Sequence, residues 1–126
     1  MIVLDTDVLI EIFDKHSEKG DEILRRILER GDSVGTTSIN LHEVMYGLQK
    51  YAKPVSEILQ LPILNYTKED SRVSVGLELA AEKAGRPLRR TDAMIASVAI
   101  NNEAEFFTFD SKHFGQLKSF GLKMFN

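Results

Sequence analysis

Ile2-Val3-Leu4-Asp5-Thr6-Asp7-Val8-Leu9-Ile10-Glu11-Ile12-Phe13 is the stretch on which the fold turns. Three apolar residues run into a carboxylate, which reads as a short buried strand stopped at Asp5, and Val8, Leu9, Ile12 and Phe13 then recur at helical spacing. A strand passing directly into a helix opens a β/α unit, and the alternation continues outward from it. Ile23, Leu24, Ile27 and Leu28 mark a second amphipathic helix ended by Gly31, and residues 33–37 are expected to form the next strand. Leu41, Val44, Met45 and Leu48 give the apolar stripe of a third helix, and Pro54 opens a further helical stretch. Residues 62–64 suit a third strand, and Thr67 suits the N-cap of a helix that stops near Gly85. From Ala93 to Ile100 only Ser97 is polar, so that helix belongs in the interior. A strand at 105–109, a short helix around 114–117 and a last strand at 122–125 complete the pattern, which implies an α/β fold with a mainly parallel sheet covered by helices.

Composition narrows the function classes. The 126 residues fit one domain, spanning 1–126 without repeat, linker or low-complexity tract. Hydrophobic residues make up 43%, yet no apolar run approaches the roughly 20 residues that span a bilayer, so no membrane association is expected. The opening meets Asp5 too early for a secretory signal, and the expected location is the cytoplasm. With no cysteine, thiolate catalysis and cysteine–zinc sites are excluded, and any metal must use oxygen or imidazole. A net charge of −3 argues against a wholly basic surface for nucleic acid but leaves room for a metal and a local basic patch.

In α/β folds, ligands bind where strands pass into helices, at the carboxyl ends of the strands. Asp5 ends the first expected strand, Asp110 ends the 105–109 strand, and Glu43 falls in the first turn of the helix after the second strand. Asp92 stands at the entrance of the apolar helix, where a buried charge demands a partner. Singly, each has a plainer use. Glu43 lies three residues after Asn40 at a capping-box-like spacing, Asp92 suits a helix N-terminus, and Asp5 and Asp110 suit turns. Four acids at four junctions on one sheet edge are harder to explain as four separate caps. Such a cluster repels itself unless cations neutralise it, and oxygen-only ligands suit Mg²⁺ or Mn²⁺. One or two such ions can activate water and stabilise a leaving oxygen, which points to phosphodiester hydrolysis. The same crowding predicts a metal-free fold that Asp92→Asn relieves.

Around these residues the chain resembles the PIN-domain ribonucleases, in particular the VapC-like toxins of prokaryotic toxin–antitoxin pairs. The resemblance rests on Ile2-Val3-Leu4-Asp5-Thr6, on Thr37-Ser38-Ile39 followed by Glu43-Val44-Met45-Tyr46-Gly47, on Arg89-Arg90-Thr91-Asp92 with Ile95-Ala96, and on Thr108-Phe109-Asp110 with His113-Phe114. It implies a three-layer α/β/α sandwich and Mg²⁺- or Mn²⁺-dependent RNA cleavage, with Asp5, Glu43, Asp92 and Asp110 as catalytic and metal-binding acids. It also implies a frequent homodimer and a small VapB-like antitoxin that covers the acidic pocket.

Other residues carry weaker signals. Thr6 and Thr108 are placed to orient carboxylates, although hydroxyls near strand ends more often satisfy local backbone. Lys83, Arg86, Arg89 and Arg90 concentrate positive charge before Asp92 and are candidates for RNA phosphates, against the alternative of a solvated loop. Gly47 within a helix suggests close packing, and Asp7 suits either the metal site or a first-turn dipole interaction. His16, His42 and His113 show no ligand spacing and read as surface or packing residues. Two rivals stand beside the nuclease. Asp5-Thr6-Asp7 also resembles the haloacid-dehalogenase phosphatases, with a nucleophile and an acid two residues apart, and a PIN-like fold could serve only to bind RNA or a partner protein.

Overall fold

The computed structural model describes residues 1–125. Strand β1 (Ile2–Leu4) feeds helix α1 (Thr6–Leu9), which widens into a π-helical turn at Ile10–Asp14 before α2 (Glu18–Arg30). Next come β2 (Val34–Thr37), α3 (Ser38–Lys50) and β3 (Ile63–Leu64), then α4 (Lys68–Lys83) and α5 (Arg90–Asn101). The chain closes with β4 (Glu105–Phe107), α6 (Ser111–Phe114) extended by a 3₁₀ stretch at Gly115–Phe120, and β5 (Lys123–Met124). All strand pairs are parallel, in the order β3-β2-β1-β4-β5.

Period-two alternation along the strands divides the core into two halves. Ile2, Leu4 and Phe107 pack with Val8, Leu9, Ile23, Ile27, Val44 and Leu48 from α1, α2 and α3. Val3 and Phe106 face the other way, onto Leu77, Ala81, Ile95, Ala96 and Ala99 from α4 and α5. The result is the expected three-layer α/β/α sandwich. β1 is fully buried at the centre, with β2 on one side and β4 on the other, so the chain reverses its direction of travel across the sheet at β1. Crevices for ligands open at such a switch point. No helix among the described residues is long and apolar enough to cross a membrane.

Two glycines shape the approach to the site. A Cβ on Gly20 would stand 2.6 Å from the Glu11 carbonyl oxygen, so only glycine lets α2 lie against the π-turn that follows α1. Gly31, at φ 74°, takes the left-handed conformation that ends α2. A Cβ at Gly47 would meet nothing within 4 Å among the described residues, so no close contact inside the chain requires that glycine.

Elsewhere the structure corrects element bounds. The stretch opened by Pro54 is helical only as a 3₁₀ turn at Ile58–Gln60: α3 ends through Ala52 in a left-handed conformation, and the segment is held by buried Ile58 with Val55 and Leu61 packed beside the core. β4 stops at Phe107 rather than continuing to residue 109. Its last rung is the Asp5 N–H donating to the Phe107 carbonyl at 2.9 Å, and beyond that point β1 has turned into α1 and offers no partner.

Candidate active site

Asp5 is the centre of the constellation because β1 is central and ends there. Its Oδ1 accepts from the Thr6 N–H at 2.8 Å and from Asn40 Nδ2 at 3.1 Å, and its Oδ2 accepts from the Thr108 hydroxyl at 2.7 Å. Burial pushes the Asp5 carboxyl up to about 6, and the charges of Asp7 and Asp92 push the same way against the hydrogen bonds from Thr108 and Thr6. Three elements therefore clamp one carboxylate that is poorly solvated and faces like charge.

Helix α3 supplies the second side. Thr37 is its N-cap, with Oγ1 accepting from the Asn40 N–H at 3.1 Å. The same hydroxyl donates to Asn40 Oδ1 at 2.7 Å, which fixes the Asn40 amide so that Nδ2 donates to Asp5 and, at 2.9 Å, to Thr6 Oγ1. Glu43, one turn further along the same face, accepts from the Thr6 hydroxyl at 3.0 Å. Glu43 thus lies in the second turn of α3, not the first, and it caps nothing: the cap is Thr37 and the residue three positions on is Asn40.

Asp92 sits in the first turn of α5 at 3% exposure and has the partners its burial demands. Arg89 Nε and Nη2 donate to its two oxygens at 3.0 and 3.3 Å, and His113 Nε2 lies 3.2 Å from Oδ2. His113 is therefore half-buried against an acid of the cluster, contrary to its expected surface or packing role. Asp110 begins α6, where its Oδ1 accepts from the His113 N–H at 3.3 Å while its own N–H donates to Thr108 Oγ1 at 3.0 Å. Thr108 therefore links Asp5 to Asp110. Asp7 faces inward too: its Oδ2 accepts from the Phe109 N–H at 3.1 Å, Oδ1 is buried without a partner, and burial raises its proton affinity. That is more than a first-turn dipole contact.

Asp5, Asp7, Glu43, Asp92 and Asp110, with Thr6, Ile10, Arg89 and Phe114, line one pocket of about 230 Å³. Arg89 is the one cation among the lining residues. The hydrogen bonds just described hold the acids apart, and among the described residues no three carboxylates or imidazoles converge on one point. The donor chemistry nevertheless fits a hard divalent ion. Mg²⁺ keeps several waters and is commonly bound by only one or two carboxylates, so a three-ligand cage is not required. A cation here would also favour the charged Asp5 carboxylate against its burial and the charges of Asp7 and Asp92.

The arginines separate. Arg89 enters the acid pocket, Arg86 lines the cavity beside it, and Arg90 turns away to pair with Glu78 at 3.0–3.1 Å on the outer side of α4. Exposed pairs of this kind add little to stability, because water screens them. Arg90→Ala is therefore expected to leave the melting temperature nearly unchanged.

Sequence reasoning missed Asn40 and His113 as site residues. Asn40 had a signal, since it precedes Glu43 by three positions on one helical face. His113 had a weaker one, standing beside the Asp110 motif, but only the tertiary fold brings α6 to the start of α5.

Comparison with known proteins agrees with this architecture. The PIN domain family model matches residues 2–118. No curated protein sequence matches. Among solved structures, VapBC2 from Rickettsia felis bound to a promoter DNA fragment superposes with a TM-score of 0.79 at 23% identity, covering 100% of this chain and 98% of that one. DNA-bound VapBC from Salmonella typhimurium gives 0.80 at 24% identity, over 98% and 96% of the two chains. FitAcB from Neisseria gonorrhoeae gives 0.77 at 22%, over 100% and 97%. With an acid-lined pocket at the carboxyl edge of a five-stranded parallel sheet and a family match over nearly its whole length, the chain belongs to the PIN-domain family.

Proposed function

We propose that this protein is a Mg²⁺- or Mn²⁺-dependent endoribonuclease and the toxin of a toxin–antitoxin pair. The observation that carries the reading is the lining of the acid pocket: five carboxylates and one arginine in about 230 Å³. A binding module for polyanionic RNA gains nothing from that charge, whereas a hydrolase that recruits divalent metal needs it. Asp5, Glu43, Asp92 and Asp110 would hold the ion or ions, which when bound supply activated water and charge stabilisation for phosphodiester cleavage. The chain's other groups orient these acids. Asn40 and Thr108 direct the two Asp5 oxygens, Thr6 restrains Glu43, and Arg89 with His113 fixes Asp92.

The phosphatase rival needs a turn of small residues after Asp7, but Val8 and Leu9 follow and are fully buried in the core, and the PIN family match runs over residues 2–118. Similarity to the VapBC and FitAB complexes supports an antitoxin partner that closes the pocket and a cytoplasmic site of action. Homodimerisation completes the proposal, and Tyr46 and Tyr51, 63% and 70% exposed along α3 and its end, offer apolar surface for it.

Purified protein with mixed single-stranded RNA and Mn²⁺ is expected to release fragments, and chelator to stop it. Expression alone should arrest growth, and co-expression of the short reading frame adjoining the gene should restore it through a stable complex. RNA left intact at all Mn²⁺ concentrations would refute the nuclease, while cleavage without growth arrest would refute only the toxin.

A further inference from the structure

Beside the acid pocket lies a second cavity of about 460 Å³, lined by Arg86, Pro87, Asp110, Lys112, His113 and Gln116. Its volume falls within the roughly 300–1,000 Å³ of small-ligand sites. The two spaces share Asp110 as a wall, and His113 bridges them because its Nε2 reaches Asp92. The two spaces are therefore adjacent at Asp110.

Their charges are opposite. Among the described residues neither Arg86 nor Lys112 pairs with a carboxylate, whereas the neighbouring Arg89 and Arg90 are both engaged, with Asp92 and Glu78. Two uncommitted cations thus border a cavity next to an acid cluster. The backbone that carries Arg86 is held in place: Gly85 takes φ 74°, the Arg86 N–H donates to the Ala81 carbonyl at 2.9 Å, and Pro87 follows. Lys112 rides on α6, whose start Asp110 pins. Gln116 donates to the His113 carbonyl at 3.1 Å and keeps its own carbonyl oxygen and one amide hydrogen for a base edge.

We infer that this cavity is a nucleotide subsite: Arg86 and Lys112 hold the phosphate of the residue flanking the scissile bond, so that the scissile phosphate itself is delivered to the acids. The inference rests on the ribonuclease reading and deepens it. It assigns the substrate contact to two residues that line one cavity from different elements, and it separates Arg86 from Arg89 and Arg90.

The test uses wild type, Arg86→Ala, Lys112→Ala and Lys112→Arg in Mn²⁺ with a labelled single-stranded RNA of mixed sequence, and Lys68→Ala as an exposed basic residue outside both cavities. Binding is measured in an Asp5→Asn background across a salt series, and cleavage in the native background. Arg86→Ala and Lys112→Ala should each raise KM and weaken binding by about tenfold and lower the salt slope by about 0.7. kcat at saturating RNA should stay within about threefold, Lys112→Arg should restore binding, and Lys68→Ala should change neither KM nor slope. A general loss of stability cannot alter the salt slope selectively, and Lys112, exposed on the surface, tests the idea even if Arg86→Ala folds poorly. Wild-type cleavage with unchanged KM and slope in both alanine variants would overturn the subsite and leave the nuclease intact. A fall in kcat at constant KM would also overturn it. Failure of the wild type to bind or cut RNA would remove both.

Discussion

Asp5→Asn, Asp92→Asn, Asp110→Asn and Glu43→Gln are each expected to cut metal-dependent RNA cleavage by at least about 100-fold, the upper end of what losing an outer-shell partner costs. Asp5 should be the most damaging. It is the most centrally clamped of the four, with partners on α1, α3 and the loop after β4, and its substitution disturbs each of those positions. Glu43, the one acid on α3, is exposed and touches the cluster only through Thr6, so its loss should be partly recovered at high Mn²⁺. Single-turnover rates across a metal titration make the comparison. A Glu43→Gln protein that cleaves at the wild-type rate throughout would mean that this carboxylate restrains Thr6 and does not bind metal.

The second large effect is on stability, and it has the opposite sign. Without metal, Asp5→Asn is expected to melt above wild type at pH 7. The Asp5 carboxyl is raised from an ordinary 3.8 to about 6, so the folded state holds its proton more tightly than the unfolded chain does. Stability linked to this group is therefore fully present below about pH 4 and lost as pH rises through about 6. The 2.2-unit difference between those two values corresponds to roughly 3 kcal/mol at neutral pH, on the order of 10 °C in Tm. The amide removes that penalty while keeping an oxygen for Thr6 and Asn40. Melts in chelator at matched ionic strength should show the gap between variant and wild type closing from pH 6 to pH 4. With Mn²⁺ the order should invert, because a ligand that binds only the native state at a hundredfold excess over Kd adds about 2.7 kcal/mol and the variant binds it poorly. A variant that is less stable than wild type in chelator at every pH would show that the Asp5 carboxylate is a structural group.

The structure moves this test from Asp92 to Asp5. Position in the sequence makes Asp92 the costly acid, since it stands at the mouth of an apolar helix. Yet Arg89 and His113 converge on its carboxylate, and removing one member of a buried, satisfied set leaves the others unpaired. Asp92→Asn should therefore lose stability in chelator, whereas Asp5 has neutral partners and like-charged neighbours, and relief is expected there.

The alternation of apolar runs with helical stripes was enough to determine a parallel α/β sheet, because strand and helix periods are local properties of side chains against one buried face. The same local logic placed Asp5 at the end of β1 and Asp92 at the start of α5, where apolar runs begin or stop. It reached less far wherever pairing between elements set the outcome. β4 ends two residues before the apolar run does, because β1 turns away after Leu4, and so Thr108 becomes a link between two acids instead of a strand residue. Asn40 and His113 join the site across 35 and 21 residues of sequence, and Arg86, Arg89 and Arg90 part toward three different surroundings although they nearly adjoin. Which carboxylate is stabilised and which is strained depends on donors brought in from other elements. Only the packing of α3, α5 and α6 around β1 decides that, because hydrogen bonds and burial are properties of neighbours in space.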